Sequence, residues 1–209
     1  EYFKKSFSQV DIPCVLVTNR ANEMKFPNLS SVATDDIAAA KCAVDALFEA
    51  GHKDIGILGG DFEKSYTSHQ RYLGCVESFK EHGMPIKPET CYENARFSYD
   101  SAYRAMGRLI KKYPQLTAVF AMSDVMAIGA IRALRDMNYR IPEDISVIGF
   151  DGTALAEYYN PKLATIKQAY RTLAVRSVEI LFGQIELKKD PIHEIVPFEF
   201  VSGESIGTI

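Results

Sequence analysis

The sequence predicts an α/β protein whose core is parallel sheet covered on both faces by helices, and three observations carry that prediction. The stretch Ile145-Ser-Val-Ile-Gly-Phe-Asp151 is an apolar or β-branched run, broken only by Ser146 and Gly149, that ends in a carboxylate. That is the form of a strand buried on both sides. The form recurs: Val15-Leu16-Val17 ends in Thr18 and Asn19, Ile55-Gly56-Ile57-Leu58 in Gly60 and Asp61, and Ala118-Val119-Phe120-Ala121 in Ser123 and Asp124. Between these runs lie segments with apolar residues at helical spacing and short polar turns. Right-handed crossovers resolve such a β-α-β-α rhythm into parallel sheet. Ligands of open α/β sheets gather beyond the carboxyl ends of the strands, so the polar tips are where function is expected.

In chain order, Glu1 to Gln9 reads as the tail of a helix with no cap at its start, and Ile12 to Val17 as the first strand. A loop from Arg20 to Ser31, holding Pro27 and Asn28, leads to a helix capped by Thr34 or Asp35, striped by Ile37, Ala40, Val44, Leu47 and Phe48 and stopped by Gly51. Strand Ile55 to Leu58 follows, then a helix with Tyr72, Leu73, Val76 and Phe79 inward that ends at His82-Gly83. A short strand near Cys91-Tyr92 runs through Arg96, Phe97 and Ser98 into a helix burying Ala102, Met106, Leu109 and Ile110. Strand Ala118 to Met122 feeds a helix that Ser123 or Asp124 caps, with Ala127, Ile128, Ile131 and Leu134 inward; the strand ending at Asp151 comes next. After Asn160-Pro161 the rhythm breaks. Ala164-Thr165-Ile166 is too short for a wall strand and reads as a connection or hinge. A helix then spans Arg171 to Phe182 with Ala174, Val178 and Leu181 inward, and Glu194 to Val201 reads as one strand.

Composition narrows the function classes. The 209 residues are 47% hydrophobic and 24% charged, which suits one large α/β domain or two small ones. A formal charge of −3 without a dense run of Lys and Arg offers no field for a phosphate backbone, so these residues are not expected to hold nucleic acid themselves. No apolar run reaches the roughly 18 to 20 residues of a membrane span, and Glu1-Tyr-Phe-Lys-Lys5 lacks a signal-peptide core. Cys14, Cys42, Cys75 and Cys91 form no CxxC pair and read as reduced thiols of a cytosolic protein. With His52, His69, His82 and His193 scattered and no HExxH, no metal site is expected. Gly59-Gly60 follows a strand, but neither GxGxxG nor GxxxxGKS/T is present. No GxSxG occurs and no nucleophile stands with a base, so no catalytic residue, no cofactor and no enzyme is expected.

Ile141-Pro-Glu-Asp-Ile-Ser-Val-Ile-Gly-Phe-Asp151, preceded by Ala121-Met-Ser-Asp-Val-Met-Ala-Ile-Gly-Ala130 and followed by Pro161-Lys-Leu-Ala-Thr-Ile-Lys-Gln168, resembles the effector-binding domain of the LacI/GalR family of bacterial transcription regulators. Ala50-Gly-His-Lys-Asp-Ile-Gly56 and Arg71-Tyr-Leu-Gly74 match in the same order, so the likeness covers essentially the whole chain. It implies a periplasmic-binding-protein-like fold of type I: two Rossmann-like lobes with parallel sheets, a hinge of three crossovers and a ligand in the cleft. The N-terminal lobe would hold residues 1–32 and 168–196, and the C-terminal lobe 33–167 and 197–209. By the same likeness further β-α units and a helix-turn-helix DNA-binding headpiece precede Glu1, so the chain is expected to be a fragment lacking both.

The resemblance also implies a ligand set, residue by residue. The cleft acid falls on Asp151, whose two acceptor oxygens suit a pair of sugar hydroxyls. Arg71 falls on a cleft arginine able to fork onto vicinal hydroxyls or a carboxylate. Phe97 falls on an aromatic that stacks on a pyranose face, Gln168 on the hinge side of the cleft, and Tyr170 on its wall. Two departures fall at strand tips. Ser123-Asp124 stands where the family usually has Asn-Asp, and Thr18, followed by Asn19, where many members have aspartate. Their shorter reach points to a larger or differently hydroxylated ligand, or one approached through water. Gly203 replaces an arginine that many members carry, a change expected to affect stability more than binding. Without the family, Asp151 reads equally as a turn former before Gly152. Arg71 then reads as an exposed helix arginine, Phe97 as core and Asp124 as a helix cap, while Ser123 and Thr18 say little.

The expectation is a cytoplasmic homodimer that senses a small-molecule effector, a sugar or related polyol, between its lobes. It has no membrane partner and reaches operator DNA only through the headpiece. An exported sugar-binding protein of a transporter is the alternative, and an α/β enzyme acting on a sugar or nucleotide a further one. A helix-turn-helix upstream, a signal peptide upstream, or turnover of the ligand separates the three.

Overall fold

The computed structural model describes residues 11–21 and 26–209, so the expected helix tail at Glu1 to Gln9 lies outside it. The elements are β1 (Cys14–Val17), β2 (Leu29–Thr34), α1 (Asp36–Glu49), β3 (Ile55–Gly59), α2 (Tyr66–Glu81), α3 (Pro88–Cys91), β4 (Tyr92–Asn94), α4 (Tyr99–Lys112), β5 (Ala118–Ala121), α5 (Asp124–Asp136), β6 (Ser146–Asp151), α6 (Ala154–Tyr158), β7 (Ala164–Gln168), α7 (Tyr170–Leu187), β8 (His193–Val196) and β9 (Phe198–Val201). Two compact units result. One takes the described residues up to Asp35 together with Ala169–Phe198; the other takes Asp36–Gln168 and Glu199–Ile209. The chain passes between them after Asp35, after Gln168 and after Phe198.

The first unit carries a parallel sheet in the order β1-β2-β8. β2 is a strand where the sequence reading has a loop running to Ser31. All six of its residues are buried, serines included. The Ser30 hydroxyl donates to Gln184 Oε1 at 3.0 Å and accepts from the Ile192 N–H, and the Ser31 hydroxyl accepts from the Ala21 N–H at 3.1 Å. Partnered hydroxyls are cheap to bury, and their polarity hides the strand from a hydrophobicity pattern. Against the sheet lies α7, whose Leu173 and Ile180 form a core with Val32 and Val196. Its inward face is Leu173, Ser177, Ile180 and Gln184, not the expected Ala174, Val178 and Leu181. Ala174 and Val178 are exposed and Leu181 is half-buried. Two polar residues take inward positions because each has a partner: Gln184 bonds Ser30, and Ser177 donates to the Ala174 carbonyl at 2.8 Å.

The second unit carries a sheet in the order β4-β3-β5-β6-β7-β9, parallel from β4 through β7. The expected connection at Ala164-Thr165-Ile166 is instead a wall strand. β7 lies in register with β6 from Ile148 opposite Ala164 to Asp151 opposite Lys167. The apolar run is short because Lys167 and Gln168 complete it, with Gln168 buried by its hydrogen bond to Asp151. The single strand expected over Glu194 to Val201 is two strands in two sheets, β8 and β9. Pro197 separates them, since it has no N–H for a ladder. A short helix, α3, stands where none was expected.

Helices α1 and α2 pack with their backbones close. A Cβ on Gly74 would lie 2.2 Å from the Ile37 carbonyl oxygen. Small residues therefore face inward, Ala39, Ala40 and Ala43 on α1 and Gly74, Cys75 and Ser78 on α2. Of the apolar residues expected inside α2, only Phe79 is buried; Tyr72, Leu73 and Val76 are half-buried. Helices α4 and α5 bury Ala102, Met106, Leu109, Ala127, Ile128, Ile131 and Leu134 as expected, with Ile110 half-buried. Parallel sheets alternating with helices bear out the α/β class. No described helix is long and apolar enough to cross a membrane.

Candidate ligand-binding site

At the carboxyl ends of β5, β6 and β7 the side chains of Arg71, Asp151 and Gln168 meet. Arg71 rides on α2, which Ser65 caps by accepting the Ser68 N–H at 3.3 Å. Its side chain is 5% exposed, so the guanidinium needs partners, and it has them. Nε donates to Asp36 Oδ1 at 2.8 Å and Nη1 to the Met122 carbonyl at 2.5 Å. The Cζ atom lies 3.6 Å from the centroid of the Phe150 ring, a cation–π contact. Nη1 also stands 3.9 Å from Asp151 Oδ1, and that oxygen accepts from Gln168 Nε2 at 2.9 Å. The Asp151 side chain is 21% exposed, which makes it the charged member that solvent reaches. Its backbone φ of +117° is strained for an L residue, and Gly152 continues the turn at +69°. Such strain costs about 1–3 kcal/mol and concentrates at functional sites.

Beside this array is a second group around Gly60. A Cβ there would fall 2.3 Å from Ser68 Oγ and 2.6 Å from Phe97 Cε2. Ser68 stands one turn before Arg71 on the buried face of α2, and its Oγ has no hydrogen-bond partner among the described residues. An orphaned buried hydroxyl costs about 1–3 kcal/mol, so a polar group brought by a ligand is favoured there. Phe97 is partly exposed and follows Arg96 in a left-handed pair, φ +51° then +48°.

Ser123 caps α5 by accepting the Met126 N–H at 3.2 Å. The capping expected of Asp124 is thereby taken over, and Asp124 is turned to another task. It is fully buried, its Oδ1 accepts the Thr165 hydroxyl at 2.6 Å, and its Oδ2 accepts the Thr153 N–H at 2.7 Å and hydroxyl at 2.9 Å. Burial pushes this carboxyl above its ordinary range while the Thr165 and Thr153 hydrogen bonds pull it down. Asp124 thus pins the loop that follows Asp151. Gly203 leaves no room for any side chain: a Cβ would lie 2.4 Å from both the Ala164 nitrogen and the Lys162 carbonyl oxygen.

Of the residues expected from sequence, the structure brings together Arg71, Asp151 and Gln168, with Ser123 following the Met122 carbonyl that Arg71 holds and Phe97 beside Ser68. Thr18 and Tyr170 belong to the first unit. Thr18 ends β1 with φ +70° and donates its N–H to the Val32 carbonyl at 2.9 Å; Tyr170 opens α7 and is 44% exposed. Asp36 and Ser68 escaped the sequence reading. The position of Ser68, three before Arg71 on one helix, was an available signal; nothing near Asp36 in sequence points to Arg71.

Parallel strands, helices between them, a polar array at the strand ends and three passages of the chain between two units define the class of periplasmic-binding-protein-like domains. Residues 44–206 match the periplasmic binding protein-like domain family, and the chain belongs to it, in the effector-domain branch of the LacI/GalR regulators. It is 38% identical over 148 residues to the HTH-type transcriptional repressor PurR of Pasteurella multocida (strain Pm70), covering 71% of this chain and 44% of that protein. It is 34% identical over 210 residues to the HTH-type transcriptional regulator MalR of Clostridium butyricum, covering 100% of this chain and 62% of that one. The solved complex of the transcriptional regulator CelR with cellobiose aligns with a TM-score of 0.84 at 25% identity, over 98% of this chain and 68% of that one. The expected family and fold are borne out, and the chain spans less than two thirds of the length of either curated relative.

Proposed function

We propose that this chain is the effector-sensing part of a LacI/GalR-type transcription regulator and binds a sugar or related polyol through Asp151, Arg71 and Gln168. The carrying observation is the partly open Asp151 carboxylate, held by the Gln168 amide with the Arg71 guanidinium behind it, at the ends of parallel strands. Vicinal hydroxyls donate to such a carboxylate and accept from amide and guanidinium N–H groups, each bond contributing about 1 kcal/mol and more where a charge takes part. Phe97 offers an apolar face to a sugar ring, and the Ser68 and Ser123 hydroxyls add polar contacts. The two units serve as lobes, and the family likeness adds Thr18 and Tyr170, which belong to the first, to the ligand set. The cellobiose held by CelR supports a carbohydrate.

The mechanism is a population shift, in which the ligand favours one lobe arrangement by differential contacts. A cytoplasmic homodimer carries that shift to operator DNA through a helix-turn-helix headpiece. The regulators among the relatives favour this reading over an exported binding protein, and over an enzyme. A thermal-shift screen against hexoses, pentoses, disaccharides, sugar phosphates and purines, repeated with Asp151→Ala, tests it. One carbohydrate class is expected to raise Tm in the parent and not in the variant. A carbohydrate shift that survives Asp151→Ala overturns the site; a purine-only shift, or none, overturns the sugar.

A further inference from the structure

We propose a second binding site, for a small phosphate-bearing anion, in a surface cavity of about 340 Å³ lined by Asn94, Arg96, Ser101, Arg104 and Arg108. The proposal stands apart from the site at Asp151: none of these residues touches Arg71, Asp151 or Gln168 through a hydrogen bond or ion pair. Three arginines line one concavity, and no Asp or Glu is among its lining residues. Arg104 and Arg108 are a turn apart on α4, so the helix itself fixes their spacing. Arg108 gives its Nε to Glu93 at 2.9 Å, and that single carboxylate also serves Lys112 at 2.9 Å. Neither Arg96 nor Arg104 is paired with a carboxylate among the described residues. Left to themselves, cations at such spacing repel.

The backbone is arranged to keep Arg96 in this company. It occupies left-handed space at φ +51°, and its N–H is tied to Asn94 Oδ1 at 3.1 Å. That bond uses the amide oxygen of Asn94 and leaves its NH₂ as a donor. Ser101 adds a hydroxyl within the first turn of α4, where the helix dipole favours negative charge. Planar, forked guanidinium donors match phosphate geometry in a way that ammonium groups do not. The cavity holds about ten times the roughly 30 Å³ share of one water, enough for a phosphate and its immediate substituent.

The test is titration of the whole protein with inorganic phosphate and, separately, with glycerol 3-phosphate, by calorimetry and ³¹P NMR at low ionic strength. Saturable binding with a Kd of about 1 mM or tighter is expected. Arg96→Gln and Arg104→Gln should each weaken it about tenfold or more with unchanged far-UV circular dichroism, since both side chains are exposed. Lys111→Gln, on the same helix but off the cavity, should leave it unchanged. Tighter binding of the monoester than of free phosphate assigns the site to phosphorylated metabolites, and the reverse order assigns it to phosphate itself. Absence of saturation with both probes overturns the proposal, as does an affinity that both arginine variants retain or that Lys111→Gln lowers equally.

Discussion

Replacing Arg71 by Met isolates what a buried charge pair does in this molecule. Arg71 and Asp36 have side chains 5% and 4% exposed and meet at 2.8 Å. At an effective dielectric of 20 that separation corresponds to an attraction of about 6 kcal/mol, most of which offsets desolvation of the two groups. Removing Arg71 breaks a pair that is buried on both sides, and breaking such a pair costs about 3–5 kcal/mol in proteins. Met keeps much of the contact with Phe150, so the loss of packing is small, but the Met122 carbonyl also loses a donor. We expect Arg71→Met to destabilise by about 4 kcal/mol, a fall in Tm of about 8–16 °C for a chain of this size. The assay is urea unfolding followed by far-UV circular dichroism, with the chain's eleven tyrosines as the fluorescent probe because it has no tryptophan. Asp36→Asn added to Arg71→Met should recover about 2 kcal/mol, the signature of coupled partners. A loss below about 1 kcal/mol in Arg71→Met, or an Asp36→Asn that simply adds to the damage, refutes the reasoning.

Other perturbations separate binding from folding. Gly60→Ala puts a methyl 2.6 Å from Phe97 Cε2 and 2.3 Å from Ser68 Oγ; the ring gives way, and calorimetry with the compound chosen by the thermal-shift screen should show at least tenfold weaker binding by a folded protein. Gly74→Ala meets backbone instead, 2.2 Å from the Ile37 carbonyl, so overpacking of about 1–3 kcal/mol outweighs the roughly 1 kcal/mol helix-propensity gain, and urea midpoints should fall. Asp124→Ala leaves the Thr153 N–H without its acceptor and the Thr165 hydroxyl with only the Ile166 carbonyl at 3.5 Å, so a loss of about 1–3 kcal/mol is expected, and hydrogen exchange of Thr153 should accelerate. His52, buried between Thr117 Oγ1 and the Gly207 carbonyl at 3.0 Å each, is held by burial below the ordinary value of 6.5. The unfolded chain then binds the extra proton, so this contribution is full above pH 6.5 and declines as pH falls through the window below it. His52→Gln should flatten that slope in urea midpoints measured against pH.

The parts of the molecule that sequence exposed are those where one force acts alone. β3, β5 and β6 are buried apolar runs, and no other element type fits them. β2 was hidden because Ser30 and Ser31 are buried through hydrogen bonds to residues far along the chain. The same cause rotates α7, where Ser177 and Gln184 take inward places that apolar counting assigns to Ala174 and Val178. On α2 the reason differs: the close approach at Gly74 rewards small side chains over large ones. At the site, residue type and strand-end position pointed to Asp151, and the family likeness supplied Arg71, Gln168 and Phe97. Asp124 was misread because a carboxylate at a helix start looks the same whether it caps that helix or reaches sideways to two threonines. Asp36 was illegible because its partner is 35 residues away.

One arrangement at Arg71 and Asp151 has a mechanical meaning. Asp36 is the first residue of the second unit after the chain enters it, and Gln168 is the last before the chain leaves. Arg71 grips the former and Asp151 the latter. The two charged groups that face each other at 3.9 Å therefore each hold one rein of the polypeptide where it crosses between units. A change at Asp151 or Arg71 is therefore felt at a residue next to a crossing through a direct side-chain hydrogen bond. Coupling of the kind proposed above would need no relay through the core: the two side chains proposed to hold the ligand are bonded to the residues at which the chain enters and leaves the second unit.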